Sequence, residues 1–472
     1  MSEAMNYSKN RIFRSSFMVI AVILLIIYGY SADGSQNAKQ LTTIVIVRNI
    51  GNDLLQKIQS EKYKEVEDYF NSLIKTKQYS IDGSRLLEEI YLNLSYRRGI
   101  LKYLDKWCSQ TNHHSAFIVR GMYYVDYAWG ARGEDWAYTV SKEQFRLMRE
   151  RFLCAKEDLE KAYVLNPRDP NSAGAMISVC MGLGLDEGIM EGYFQNAINA
   201  DPIAYYAYRN KFLYLAPKWR GTHEKFSQFA EYCYRTSPTG SRVYTILLEY
   251  LYECAERSKN KKRFLKNQNV QKTLNEILER WLKDFPNSTS ARVWLAIINE
   301  DLGNVEEAIK YCGEVLTIEP NHRSALRTRG DIYFRSNEDE KAEKDFKKLI
   351  EIDPYDDYAL FTLGRIAFYH YKAYQKSIEY YDKAIALNST NKYYFYQRGI
   401  PKFWLKNYGS SKDDFSSAIQ IDPKLGIAYY NRGRCLWYLD EKEKAKDDFR
   451  KAKYYNPSLA SRVDRYLKGL IK

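Results

Sequence analysis

The chain of 472 residues is 45% hydrophobic and 28% charged, a balance that excludes wholesale disorder. Its 11 prolines exclude collagen-like, mucin-like and proline-rich linker architectures, while its 43 tyrosines are unusually many. A formal net charge of +13 raises nucleic-acid and membrane readings, which the placement of the charge has to decide.

At the N-terminus, Lys9, Arg11 and Arg14 precede the apolar run Phe17 to Tyr28, and Gly29-Tyr30-Ser31-Ala32 follows it. A basic start, an apolar stretch and a small-x-small step describe a secretory signal over 1–32, with cleavage expected after Ser31. If retained, residues 15–32 are just long enough to anchor the chain in a bilayer. The expected location is therefore exported, periplasmic or extracellular, or else anchored in the inner membrane by residues 15–32. No cysteine follows the run to take a lipid.

The seven cysteines, Cys108, Cys154, Cys180, Cys233, Cys254, Cys312 and Cys435, are scattered and form no CxxC pair. They read as small buried hydrophobes, not as a disulfide framework or zinc site.

Residues 33–257 read as a diverged helical domain with repeat-like units. Pro167, Pro202, Pro238 and Pro286 punctuate the chain 35, 36 and 48 residues apart. Ala155-x6-Ala162-x4-Pro167 and Phe194-x2-Ala197-x4-Pro202 have the look of helices stopped by proline. Trp107, the run Ala128-Trp129-Gly130-Ala131-Arg132-Gly133, Asp201-Pro202 and Pro217-Lys218-Trp219-Arg220-Gly221 follow in order the pattern of a bacterial domain family of unknown function. Over about 55–235 the chain resembles that family, although Arg220 and Thr222 replace residues usual there. The resemblance implies a bacterial source and an α-helical domain, and supplies no activity. The extra residues before Pro286 coincide with a basic stretch, 258–269, expected to be an exposed linker or insert.

From 270 to 459 the sequence repeats itself. Glu319-Pro320, Asp353-Pro354, Asn388-Ser389, Asp422-Pro423 and Asn456-Pro457 recur at steps of 34, 35, 34 and 34 residues. Gly330, Gly364, Gly399 and Gly433 each stand some 24 residues before such a stop. The spacing describes helix-turn-helix units in which glycine permits close approach, Ala and Phe pack the pair, and proline ends the second helix. Gly330-x2-Tyr333 and the run Ala445-x3-Phe449-x2-Ala452-x4-Pro457 resemble the tetratricopeptide repeat, with four units over about 323–459 and a weaker fifth at 289–322. The resemblance implies an all-α fold, helix-turn-helix repeats stacked into a right-handed superhelical solenoid, closed by a capping helix in 460–472. Pro401 lies inside a first helix, where it is expected to kink or shorten it.

Chemistry is scarce. There is no HExxH, no His pair at i and i+4, no P-loop, no GxSxG and no dinucleotide fingerprint, so neither a metal nor a cofactor is expected, nor an enzyme. Residues 289–459 hold 28 basic against 26 acidic side chains, so the positive surplus is diffuse and nucleic acid is not the expected partner. Trp129, Arg132 and Trp219 would form a small N-terminal pocket, the enzymatic alternative, or else a structural corner.

In stacked repeats the first helices line the concave face. Counting along them gives Arg327, Arg335, Tyr358, Phe361, Arg365, Tyr393, Tyr396, Gln397, Trp404, Tyr430, Asn431, Arg434 and Tyr438 as groove residues. Aromatics with arginine are the side chains enriched at protein-binding hot spots. The function expected is that of an exported scaffold for a protein or peptide partner, touching a membrane only through its N-terminal segment if uncleaved. An envelope polysaccharide-binding module is the other alternative.

Overall fold

The computed structural model describes residues 43–80, 82–97, 99–132, 140, 142–219, 221–238 and 240–468. The signal or anchor expected over 1–32 lies outside them, and no described helix is long and apolar enough to cross a membrane. All regular structure in the described residues is helical apart from one isolated bridge, Tyr79 to Arg85. The chain divides into two compact units, 1–324 and 325–472.

The first unit starts with α1 (Thr43–Gln59), α2 (Tyr63–Thr76), α3 (Leu86–Ser95) and α4 (Leu101–Gln110). A long hairpin follows, α5 (His114–Arg132) and α6 (Lys142–Leu165), then α7 (Pro170–Leu183), α8 (Glu187–Ala200), α9 (Tyr205–Tyr214) and α10 (His223–Thr236). The unit ends with α11 (Ile246–Arg257), α12 (Lys261–Leu265), α13 (Gln268–Asp284), α14 (Thr289–Leu302) and α15 (Val305–Ile318).

Side-chain oxygens close several of the helix starts. Asp169 accepts from the Asn171 amide, with Pro170 in the first turn of α7, and Ser288 accepts from the Ala291 amide. Within the basic stretch 258–269, Lys259, Lys262, Arg263 and Lys266 are exposed. Its centre forms the short α12, whose Leu265 is fully buried, while Lys261 bonds the Tyr252 hydroxyl at 2.7 Å and pairs with Asp301 at 2.5 Å.

The second unit takes in most of α16 (Arg323–Arg335) and then α17 (Asp339–Ile352), α18 (Asp357–Tyr369), α19 (Tyr374–Leu387), α20 (Lys392–Trp404), α21 (Tyr408–Ile421), α22 (Gly426–Tyr438), α23 (Lys442–Tyr455) and α24 (Ala460–Leu467). From α17 to α24 each helix packs on its neighbours in sequence, the arrangement of a helical solenoid. The five predicted stops are the residues that end second helices: Glu319, Asp353, Asn388, Asp422 and Asn456, all off the helical conformation.

Within each pair of the second unit the turn is made by a non-glycine residue with left-handed backbone: Asn337, Lys372, Lys406 and Asp440, at φ 53° to 62°. The repeated glycines allow the close approach expected of them. A Cβ at Gly433 would stand 2.9 Å from the Phe449 ring, at Gly399 2.8 Å from Phe415, and at Gly364 2.6 Å from Tyr381.

An ion pair repeats beside these contacts. The residue before the glycine is an arginine that grips, through two nitrogens, the aspartate before the aromatic: Arg329 on Asp345, Arg398 on Asp414 and Arg432 on Asp448, all at 2.6 to 3.0 Å. In the first unit Arg120, before Gly121, grips Asp158, before Leu159, at 2.7 and 2.8 Å. The α5/α6 hairpin is thus built on the same plan with longer helices.

Pro401 does not shorten its helix. Helix α20 has 13 residues, as do α18 and α22, and Pro401 sits buried in its last turn, where its missing N–H forgoes one bond to a carbonyl in the preceding turn. The seven cysteines are free; five are buried as expected, Cys254 is half-buried and Cys154 is exposed.

Candidate functional site

The residues assigned to the first helices of the second unit fall into three groups. Phe361 and Gln397 are each 3% exposed. Phe361 packs 4.8 Å from Tyr394 and 5.7 Å from Tyr381, so it belongs to the core between helix pairs and not to an open face. Gln397 accepts from the hydroxyl of the half-exposed Tyr369 at 3.4 Å. Tyr393 also packs against that core. The alternation along these helices places such positions inward once a neighbouring pair is stacked on, which counting on a lone helix does not register.

A second group is committed to internal ion pairs. Arg327 pairs with Asp356 and lies over the Tyr358 ring at 5.0 Å. Tyr358 donates to Asp331 at 2.7 Å, and Arg335 stands 3.9 Å from the same carboxylate.

The third group makes a motif that repeats. Arg365 follows Gly364 and lies 4.6 Å from the ring centre of Phe334, in the preceding pair. Arg434 follows Gly433 and lies 4.2 Å from the ring centre of Phe403, again one pair back. Both are cation–π contacts of short range. Around Arg434, a guanidinium nitrogen donates to Asn431 at 3.1 Å, and Asn431 donates to the Tyr396 hydroxyl at 3.2 Å. Tyr430 closes this cluster against Phe449 and Tyr466, at 6.0 and 6.3 Å. Tyr438 meets Phe403, the ring under Arg434, edge-on at 5.6 Å, while Trp404 lies apart; they are 47% and 59% exposed. The aromatic partners of the arginines, four residues beyond Gly330 and Gly399, escaped the sequence reading; aligning the repeats on their glycines brings Phe334 and Phe403 into one column.

In the first unit Trp129, Arg132 and Trp219 come together. The two indoles lie 4.9 Å apart, and Arg132 stands 5.1 Å over Trp219. Trp129 donates to the Ser178 hydroxyl at 3.1 Å and meets Phe152 edge-on at 5.0 Å. These contacts fit a packed corner between helices. Trp136, four residues beyond Arg132 in sequence, lies outside the described residues.

A buried polar seam was not anticipated. The turn 79–85 reaches residues some two hundred positions away: the Asp82 carboxylate accepts from the Ser288 hydroxyl and the Ser290 amide, and its carbonyl accepts from Trp281 at 3.1 Å. Beside it, Arg85 grips Asp201 at 2.6 and 3.1 Å, and Glu88 accepts from the Tyr206 amide at 3.1 Å. Burial pushes Glu88 up to about 8 and Glu89 to about 7, against the pull of Arg242, and pushes His322 down to about 4. Arg85, Glu88 and Asp201 also edge a small cleft, together with Lys77, Arg168 and Asn171. Among the described residues no group of three or more His, Cys, Asp or Glu is placed to hold a metal ion.

Tetratricopeptide-repeat family models match residues 289–322, 324–356 and 427–459. The chain therefore carries tetratricopeptide repeats, units that generally serve as protein–protein interaction scaffolds. Among solved structures, a crystal structure of MamA is 22% identical over 37% of this chain and 94% of that one, with a TM-score of 0.34. YrrB, described as a TPR protein with an unusual peptide-binding site, is 18% identical over 40% and 97%, with a TM-score of 0.35. PilF of Pseudomonas aeruginosa is 15% identical over 41% and 88%, with a TM-score of 0.37. No curated protein sequence matches the chain.

Proposed function

We propose that this tetratricopeptide-repeat chain is an exported scaffold that binds a protein or peptide partner along the first helices of its 325–472 unit. The observation that carries the reading is the repeated setting of Arg365 on Phe334 and Arg434 on Phe403. A guanidinium laid on an aromatic ring is fixed in place before a partner arrives, so little rotamer freedom is lost when it bonds a partner carboxylate or carbonyl. Tyr396, Tyr430 and Asn431 add rigid polar and aromatic contacts around Arg434. Phe361 is left out of this set, because it is core.

The test is a pulldown from envelope extract with the wild type and an Arg365→Ala/Tyr396→Ala/Arg434→Ala variant. The variant is expected to lose the proteins that the wild type recovers, and recovery of the same proteins by both would refute the assignment. Export rests on the sequence of 1–32, and sequencing the mature N-terminus after cell fractionation tests it: a start at Ala32 supports cleavage, an intact start in the membrane fraction supports anchoring, and an intact start in the soluble fraction rejects both.

A further inference from the structure

The small cleft of the first unit lies where the end of α2, the starts of α3 and α7, and the link from α8 to α9 meet. Its wall includes two polar side chains that are each 4% exposed, Glu88 and Asn171. One carboxyl oxygen of Glu88 accepts from the Tyr206 amide at 3.1 Å, and the Asn171 side-chain nitrogen donates to Asp169 at 2.8 Å. Among the described residues nothing donates to the other Glu88 oxygen or to the Asn171 side-chain oxygen. Buried polar groups almost always have a partner, and two oxygens left over at a cleft call for one that enters it.

Five ionisable side chains line the cleft: Lys77, Arg85, Glu88, Arg168 and Asp201. Arg85 and Asp201 hold each other at 2.6 and 3.1 Å, and Arg85 also donates to the Lys77 carbonyl, so this pair is occupied. Lys77 and Arg168 are exposed, and neither has an ion pair among the described residues. Asp169, next to Arg168, is wholly buried and turned to Asn171, Tyr91 and His114. Burial, with Glu89 and Asp201, raises Glu88 to about 8 against the pull of Arg242 and the Tyr206 amide, so near neutral pH it is mostly protonated.

The cleft therefore sets oxygen acceptors inside and cations outside. A simple anion would bring its charge against the Asn171 carbonyl and the Glu88 and Asp201 carboxyls, and a simple cation would have to pass Lys77 and Arg168. An α-amino acid matches both ends, with an ammonium that carries three donors and a carboxylate that suits lysine and arginine. Leu73, Leu87 and Ala204 also line the cleft, which leaves room for a small side chain only. We propose that the cleft binds a small zwitterionic amino acid, its ammonium on Glu88 and Asn171 and its carboxylate on Lys77 and Arg168. This goes beyond the scaffold reading and does not rest on it, since the cleft belongs to the first unit and the arginine–aromatic motif to the second.

Glycine is titrated into the full chain by calorimetry at pH 7, in two buffers of different ionisation enthalpy, beside acetate and methylammonium as its two halves. Glycine is expected to bind at least about tenfold more tightly than either half, since each half forgoes one set of charged hydrogen bonds. It is also expected to release close to one proton as Glu88 ionises against the ammonium, so that affinity rises about tenfold from pH 6 to 7. Arg168→Ala, at an exposed position, should weaken glycine about tenfold and keep the proton release. Glu88→Gln, its folding checked by circular dichroism, should lose both the proton release and the pH dependence. Absence of glycine binding to the wild type would overturn the proposal. So would acetate bound as tightly as glycine, which would make the cleft an anion site, and so would glycine bound without proton release or equally well by Arg168→Ala.

Discussion

Arg432 and Asp448 offer a direct test of the repeated ion pair. The Asp448 side chain is 5% exposed and accepts two guanidinium hydrogen bonds from Arg432 at 2.7 and 2.8 Å, while Arg432 is 22% exposed and also donates to Ser416 at 3.2 Å. Arg432→Leu strands a buried carboxylate, and removing one partner of a buried pair costs about 3–5 kcal/mol. Asp448→Asn strands only a guanidinium that keeps Ser416 and some water, so about 1–2 kcal/mol is expected.

The chain itself suggests the compensating change. In the pair α18/α19 the corresponding positions are Leu363 and Tyr380, with no ion pair, beside the same glycine–aromatic contact between Gly364 and Tyr381. The double variant Arg432→Leu/Asp448→Tyr should therefore recover at least about 2 kcal/mol relative to Arg432→Leu, because no charge is left in the interior. Hydrogen exchange of peptides within 426–455 reads this locally, without contributions from the first unit. Arg432→Leu is expected to speed protected exchange about 100-fold or more. A double variant that exchanges as fast as Arg432→Leu would show that the pair is not what holds these helices.

Two further predictions concern the first unit. Glu88 and Glu89 have folded-state values near 8 and 7, above the ordinary carboxylate value, so the folded state binds more protons than the unfolded one. Their contribution is full below about pH 4.5 and is lost as pH rises through 7 to 8; the urea midpoint of the first unit should fall from pH 6 to 9, and Glu88→Gln should flatten that fall. A midpoint that stays level in the wild type would contradict the buried seam. Gly83 has φ +87° and would place a Cβ 2.4 Å from the Phe285 ring, so Gly83→Ala combines left-handed strain with overlap. It should cost about 2–3 kcal/mol and free the 79–85 turn, seen as faster exchange there, whereas unchanged exchange would mean the ring moves aside.

What was legible in the sequence follows from what is local. Helix stops at Asp353, Asp422 and Asn456 are set by the proline that comes next, and close approach at Gly399 and Gly433 by the absence of a side chain. Both are properties of a few adjacent residues, so counting found them. The groove assignment depended on which face of a helix remains open after its neighbour has stacked on it. Phe361 and Arg327 each satisfied the count, yet one is core and the other is paired with Asp356. No single helix carries that information.

The Asp82 seam lies further still from what a sequence can display. Its partners Ser288 and Ser290 are 206 and 208 residues away, and nothing at 79–85 separates an interior turn from a surface one except Gly83. The arginine–aspartate pairs fall between these cases. Each joins residues 16 apart, a constant offset that alignment on the glycines exposes: Arg329 with Asp345, Arg398 with Asp414, Arg432 with Asp448. The same alignment leaves Arg120 and Asp158 out, because they stand 38 residues apart and not 16, their helices and the segment between them being longer. What persists there is the order of residues, arginine before glycine and aspartate before a bulky apolar side chain. A helix pair of this kind is therefore specified by which neighbours meet across its interface, and its length is free to vary around that contact.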